Sequence, residues 1–261
     1  MATQAVEPAG PEFYILRHSE RLDEIDPQLF LSSLQNDQSR RNKYSVENDT
    51  PITATGVDMA ADAARTLKAL VLSRYPTGTS IDELPITLYC SKLTRCMQTA
   101  YQVARELNRP IFASSGLAMT ALAVKKRPFT FLDMPSLGNL CNGVQVHCCD
   151  APEHERHVPV DNWLRAILQV ARRPGINIIV AHRETIRNLS INIRLPYCAI
   201  GTFRLTGRGT VGTGSESDEV AKELVQPVRI ADKDGVRIED WELVDDVNTT
   251  DGQASTVGDD W

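Results

Sequence analysis

The sequence has no long apolar run, since no stretch approaches the roughly 18 to 20 consecutive apolar residues that a membrane-spanning helix needs. Its first residues, MATQAVEPAGPEF, lack the basic start and the apolar core of a signal peptide. Both absences favour a cytoplasmic protein that has no membrane partner.

The middle of the chain also lacks a Gly/Ser- or Pro-rich linker, and we find no internal repeat. The 261 residues, with 42% hydrophobic and 24% charged side chains, suit one globular α/β domain. We expect this domain to span 12–210, with an insertion at 23–50. Residues 1–11 are predicted to be a disordered lead-in, and 211–261 an acidic, partly disordered extension.

The chain carries no strong excess of one charge over its main part. From Glu216 onward there are 14 acidic and 4 basic residues, a net charge of −10, so residues 1–215 carry +4 of the total of −6. A mildly basic body suits a small anionic substrate but is too weak to indicate a nucleic-acid partner.

None of the six cysteines belongs to a C-x-x-C pair, and the chain is not small and disulfide-dense. We therefore expect reduced thiols. One cluster has side chains of the metal-ligating type: Cys141, His147, Cys148, Cys149, His154 and His157. Because its spacing matches no common zinc pattern, loop residues are favoured over a structural zinc site, and we expect neither a metal nor a cofactor.

Buried strands alternate with amphipathic helices along the chain. The apolar runs FYIL, ITLYC and INIIVA predict strands at 13–16, 86–90 and 176–181. Helices are predicted over 53–72, after Ser91, over 163–172 and after His182. Weaker strand signals lie at 111–113, 197–205 and 228–231. This alternation predicts a three-layer α/β/α sandwich with a mostly parallel sheet.

Details of two helices can also be predicted. Thr53 or Thr55 is expected to open the first, with Val57 among its core-facing residues, and Ser91 to cap the second. A short helix is predicted around QLFLSSL, within the insertion.

Basic side chains follow three of the predicted strands. Arg17 and His18 come at the end of the first, Arg95 lies one turn beyond the second, and His182 follows the third. In open α/β sheets ligands bind beyond the carboxyl ends of the strands, so these groups are expected to meet at one edge. Arg21 lies four residues after Arg17 and is expected to reach the same place.

Two imidazoles and several guanidiniums at one edge suit a phosphoryl group. Arginine pairs with phosphate oxygens bidentately and stays charged at any relevant pH. The helix N-terminus near Ser91 is expected to add free N–H groups. A neutral imidazole can attack phosphorus and carry it as phosphohistidine.

Four segments in this order resemble the motifs of the histidine phosphatase superfamily, which includes the cofactor-dependent phosphoglycerate mutases. The R-H-G block appears as YILRHSERLD (14–23) and the P-L-T-x-x-G block as PITATGVDMA (51–60). The S-x-x-x-R-x-x-Q-T-A block appears as SKLTRCMQTA (91–100), and the closing strand with its histidine as IIVAHRETIR (178–187).

The resemblance implies a phosphoglycerate mutase-like fold and a role for each matching residue. His18 would be the nucleophile and His182 the second histidine that stabilises the transferring group. Arg17, Arg21 and Arg95, with Ser91 beside them, would bind phosphate. An R-H-x-E-R sequence followed by an acidic residue is most similar to the branch of tyrosine phosphatases with ubiquitin-associated and SH3 domains.

Two positions depart from the family pattern. Ser19 stands where the motif has glycine, and Met119, in SGLAMTAL (115–122), stands near the place of the usual general-acid carboxylate. Asp133 is the first candidate for a substitute acid, and Glu20 and Glu153 are weaker candidates. A solvated loop charge is the competing interpretation of each.

Three functions are therefore weighed. The leading one is a phosphomonoester phosphatase that acts through phosphohistidine and favours aryl phosphates, whose leaving groups need little protonation. The second is a phosphate-binding scaffold with little catalysis, and the third a mutase. The partner would be a small phosphorylated substrate or a phosphoprotein; the oligomeric state stays open, a homodimer included.

Overall fold

A computed structural model describes residues 12–36, 49–118, 131–150, 163–190, 195–206, 225–235 and 237. Its strands are β1 (Glu12–Arg17), β2 (Ile86–Ser91), β3 (Ile111–Ser114), β4 (Val146–Cys148), β5 (Ile176–Ala181), β6 (Ile200–Leu205) and β7 (Val225–Ala231). Its helices are α1 (Leu22–Ile25), α2 (Pro27–Asn36), α3 (Ala54–Leu72), α4 (Thr94–Leu107), α5 (Met134–Leu140), α6 (Trp163–Ala171) and α7 (Arg183–Leu189). Short 3-10 turns lie at Ile81–Glu83 and Gly116–Ala118.

The strands form one sheet in the order β4-β3-β2-β5-β1-β6-β7. Strands β4, β3, β2, β5 and β1 run parallel, whereas β6 is antiparallel to β1 and β7 antiparallel to β6. The late strand β5 thus lies between β1 and β2, which brings the ends of all three together at one edge.

Side chains alternate between the two faces of the sheet, as the pleat requires. On β1, Phe13 and Ile15 pack with α6 and α7, whereas Tyr14 and Leu16 pack with α3, α4 and α5. Helices therefore cover both faces, and the predicted three-layer α/β/α sandwich with a mostly parallel sheet is confirmed.

The helices confirm one predicted cap and correct two other predictions. Thr53 caps α3, because its hydroxyl oxygen accepts the N–H of Gly56 at 2.8 Å. Helix α4 begins at Thr94 with Leu93 as its N-cap, so the prediction that Ser91 caps it was wrong. Val57, predicted to face the core, is 38% exposed.

Other differences lie at the edges of the sheet. Strand β4, only three residues long, was not predicted, and β6 begins at Ile200 because Tyr197 and Cys198 form a turn. Strand β7 pairs with β6 inside the range 211–261 that was assigned to the extension. The lead-in 1–11 lies outside the described residues.

All six cysteines are free thiols, as expected. Within the described ranges no group of three His, Cys, Asp or Glu side chains could hold a metal ion, and His154 and His157 lie outside those ranges. None of the helices in the described part of the chain combines the length and the apolar character that a membrane crossing requires.

Candidate active site

The ends of β1 and β5 bring two imidazoles into contact. His18 follows β1 directly, His182 follows β5, and their ring centroids are 5.5 Å apart at an interplanar angle of 62°. His18 is 4% exposed and His182 is fully buried. The strand order therefore creates the predicted juxtaposition from positions more than 160 residues apart in sequence.

The main chain around His18 fixes its orientation and its tautomer. Its N–H donates to the carbonyl oxygen of Ala181 at 2.9 Å, and its ring Nδ1 lies 2.8 Å from the carbonyl oxygen of Ser19. Because a carbonyl can only accept, Nδ1 carries the hydrogen. Nε2 of His18 is left with a lone pair.

His182 has the opposite arrangement of partners. Its Nδ1 lies 3.5 Å from Nη2 of Arg95, and its Nε2 lies 3.0 Å from the hydroxyl oxygen of Ser91. A guanidinium can only donate, so Nδ1 accepts and Nε2 donates to Ser91. Because Ser91 is itself fully buried, this hydrogen bond holds the His182 ring in one orientation.

Both imidazoles are held neutral. Burial lowers the pKa of His18 well below its usual value, and the charges of Arg95, His182 and Arg17 lower it further. Burial also lowers the pKa of His182 well below the usual value, with Arg95, Arg21 and Arg17 adding to the effect. The site therefore combines neutral rings with a concentration of positive charge that suits an anion.

The three predicted arginines differ in how they are engaged. Arg17 is 7% exposed and donates from Nη1 to the carbonyl oxygen of Leu195; its Nε has no hydrogen-bond partner among the described residues. Arg95, in the first turn of α4, is 5% exposed. Arg21 is ion-paired, at 2.5 Å to Asp23 and 2.8 Å to Glu24, so two carboxylates offset its charge.

The hydroxyl of Ser19 is accommodated away from the imidazoles. It donates to the carbonyl oxygen of Gly56 at 2.6 Å, while the Ser19 N–H donates to the hydroxyl of Thr99 at 3.0 Å. The residue that replaces the motif glycine thus ties the loop after β1 to α3 and α4.

Only some of the candidate acids lie within the described residues. The carboxylate of Asp133 is the N-cap of α5 and accepts the N–H of Ser136 at 2.8 Å, and that of Glu20 accepts the hydroxyl of Thr53 at 2.6 Å. Met119 and Glu153 lie outside the described residues. The role of Asp133 as acid therefore stays a prediction.

Asp49 supplies a contact that the sequence did not indicate. Its buried carboxylate accepts the N–H of Thr94 at 2.6 Å and the Thr94 hydroxyl at 2.8 Å. The N–H of Leu93 is 3.3 Å from the hydroxyl of Ser91. These first N–H groups of α4, expected to be free for phosphate, thus have partners within the protein. The only hint in the sequence is that an acidic residue, Asp49, stands just before the second motif block.

Two further residues, Cys96 and Tyr197, contact the site although no role was predicted for them. The thiol of Cys96 lies 3.8 Å from Nδ1 and 3.7 Å from Nε2 of His182. The ring centroid of Tyr197, in the turn before β6, lies 4.1 Å from the guanidinium carbon of Arg17 and 6.0 Å from the ring centroid of His18. Tyr197 lies outside the four motif blocks, so nothing in the sequence singled it out.

Comparison with known proteins agrees with the motifs. The model described as histidine phosphatase superfamily (branch 1) matches residues 13–120. The match ends before His182, so the second histidine is assigned by geometry and by the fourth motif block alone. A search of curated protein sequences found no match.

The solved structures that match the chain include several phosphatases. The ecdysone phosphate phosphatase from Bombix mori, in complex with tungstate, is 16% identical, with 79% of this chain and 96% of that chain covered and a TM-score of 0.42. A mycobacterial glucosyl-3-phosphoglycerate phosphatase, complexed with VO3, is 13% identical, with 84% and 96% covered and a TM-score of 0.43. A phosphoserine phosphatase variant from Entamoeba histolytica, bound to phosphoserine, is 13% identical, with 78% and 95% covered and a TM-score of 0.41.

Proposed function

We propose, on the premise of the superfamily match, that the chain is a phosphomonoester phosphatase that forms phosphohistidine on His18. The observation that carries the proposal is the 2.8 Å contact of His18 Nδ1 with the Ser19 carbonyl, which leaves Nε2 as the basic nitrogen, in a ring 5.5 Å from that of His182. The charges of Arg17 and Arg95 act on the same imidazole. The substrate would be a small phosphorylated molecule or a phosphoprotein.

In the first step Nε2 of His18 attacks phosphorus, an N–P bond forms and the ester P–O bond breaks. Arg17 and Arg95 would neutralise the phosphoryl oxygens, and the charge of a bound dianion would favour a protonated His182 that donates from Nδ1.

In the second step water attacks phosphorus on the side opposite His18. The N–P bond breaks, a new P–O bond forms, inorganic phosphate leaves and Nε2 regains its lone pair. The proton that the attacking water loses is taken by the phosphate oxygens.

Aryl phosphates would be the preferred substrates. Met119 stands near the usual acid position and Asp133 is engaged as a helix cap, so leaving groups that depart without protonation should react best. A missing acid typically costs a factor of about 10² to 10⁴ with a poor leaving group. The R-H-x-E-R sequence supports, as a further proposal, the branch of tyrosine phosphatases with ubiquitin-associated and SH3 domains.

The test is acid-labile phosphoprotein trapping with radiolabelled 4-nitrophenyl phosphate, run beside steady-state turnover. The wild type should incorporate label and release 4-nitrophenol, and His18→Ala should do neither. His147→Ala is the matched control, because this exposed histidine stacks on Phe112 at the other end of the sheet.

A phosphate-binding scaffold is the second candidate, favoured by the capping role of Asp133 and the Thr53 contact of Glu20. It predicts vanadate binding by the wild type with neither label nor turnover. A cytoplasmic location, a homodimer and the lack of membrane or nucleic-acid partners stay proposals.

A further inference from the structure

Tyr197 contacts three charged or catalytic groups of the site at once. The guanidinium carbon of Arg17 lies 4.1 Å from the centroid of its ring, and the ring centroid of His18 is 6.0 Å away. Its hydroxyl donates to Oε2 of Glu24 on α1. These contacts place a half-buried aromatic residue beside the nucleophile.

Glu24 links Tyr197 to a second arginine of the site, Arg21. Its other carboxylate oxygen, Oε1, lies 2.8 Å from Nη1 of Arg21. Burial, followed by the hydrogen bond to Glu24, raises the pKa of Tyr197 to about 12. The phenol therefore keeps its hydrogen and remains a donor to Glu24 throughout the neutral range.

The guanidinium of Arg17 takes two of its contacts from the segment that holds Tyr197. Nη1 donates to the carbonyl oxygen of Leu195, and the guanidinium carbon lies over the Tyr197 ring. Stacking on an aromatic face orients a guanidinium while leaving its N–H edge open to a phosphate oxygen. Nε of Arg17 has no partner among the described residues and is one such open donor.

We propose that Tyr197 is a positioning residue for phosphate binding. Its ring fixes the guanidinium of Arg17, and its hydroxyl restrains Arg21 through Glu24. The inference rests on the phosphate site of the proposed function, but it holds equally for a protein that binds phosphate without turnover.

The test measures the Kd of orthovanadate by calorimetry for Tyr197→Leu and Tyr197→Phe in the full chain. Tyr197→Leu should raise the Kd about 3- to 30-fold, the range of one partly desolvated cation–π contact. Tyr197→Phe keeps the ring and should have a smaller effect.

A double-mutant cycle separates positioning from a general structural role. If Tyr197 acts through Arg17, adding Tyr197→Leu to Arg17→Ala should change the Kd less than about twofold. Equal penalties with and without the Arg17 side chain would overturn the proposal, as would an unchanged Kd in Tyr197→Leu.

The hydroxyl has its own cycle, which remains informative if Tyr197→Leu does not fold. Tyr197→Phe should raise the Kd in the wild-type background but should change it little in a Glu24→Leu background, where the acceptor of the hydroxyl is already gone. Additive effects would remove the hydroxyl from the proposal.

Tyr101→Leu is the matched control. It removes another arginine–tyrosine contact, in which the guanidinium carbon of Arg105 lies 5.7 Å from the ring centroid of Tyr101. Tyr101 is roughly 9 Å along α4 from Arg95. Its vanadate Kd should equal that of the wild type. A wild type that binds vanadate but hydrolyses no ester would overturn only the proposed turnover, whereas one that binds no vanadate would overturn both proposals.

Discussion

Nδ1 of His18 lies 2.8 Å from the carbonyl oxygen of Ser19, the next residue in the chain. The partner is a main-chain atom, so no side-chain replacement at position 19 removes it. The tautomer of His18 is therefore set by the backbone of the loop after β1, and the pKa of the ring is lowered by burial and by its charged neighbours.

The stability of the protein should fall as the pH is lowered through 6.5. The pKa values of His18 and His182 lie well below 6.5 in the folded state, so below that pH the unfolded chain binds protons that the folded chain does not. Above pH 6.5 the two histidines are neutral in both the folded and the unfolded chain, so they no longer make the stability depend on pH. Each histidine adds a slope of at most about 1.4 kcal/mol per pH unit.

Urea unfolding at pH 7.5, 6.5 and 5.5 measures this slope. The double variant His18→Gln/His182→Gln should lose less stability over the same interval, since the carboxylates contribute equally in both proteins. An identical decrease in the two would show that the histidines are not held neutral.

Ser91→Ala should reduce kcat/KM for 4-nitrophenyl phosphate by about 2- to 12-fold, the value of one net hydrogen bond. The change removes the acceptor for Nε2 of His182, which is fully buried and then has a less defined orientation. Ser73→Ala is the control, because its hydroxyl donates to the Leu70 carbonyl on the exposed end of α3. Equal rates for the two variants would argue against an orienting role for Ser91.

Asp49→Ala should lower the free energy of unfolding by about 1 to 3 kcal/mol, because it leaves the N–H and hydroxyl of Thr94 without their buried acceptor. Urea denaturation measures the loss. Ser80→Ala removes a cap at an exposed 3-10 turn and should cost less, since water can replace it. A loss no larger than that of Ser80→Ala would contradict the capping role.

Gly56→Ala should destabilise the protein although alanine is the better helix former. A Cβ at this position would lie 2.9 Å from the carbonyl oxygen of Glu20 and 3.1 Å from the Thr53 hydroxyl, so the loop that follows His18 would have to move. Gly138→Ala, in α5, meets nothing within 4 Å and should stabilise by up to about 1 kcal/mol. Thermal unfolding of both variants shows whether the signs differ as expected.

The sequence predicts the sheet and the meeting of His18 with His182 because both depend on strong local signals. Apolar runs of four to six residues define β1, β2 and β5, and the rule for strand ends places the residues that follow them at one edge. Strand β4 carries no such signal: its three residues, Val146 to Cys148, are not an apolar run.

The supporting contacts could not be predicted, because they join residues that no local pattern connects. Asp49 meets Thr94 across 45 positions, and Tyr197 meets Glu24 across 173. Only the packed fold decides which of several carboxylates lies opposite a given N–H or phenol. The same reason hides the contact of Ser91 with His182, which is 91 positions away.

The position of β5 between β1 and β2 has a consequence for synthesis on the ribosome. Until residue 181 has emerged, β1 and β2 have no neighbour to join them, and each exposes an unpaired inner edge. A nascent or truncated chain that stops earlier is therefore prone to aggregation and cannot assemble the anion site. Productive folding has to wait for the last third of the polypeptide.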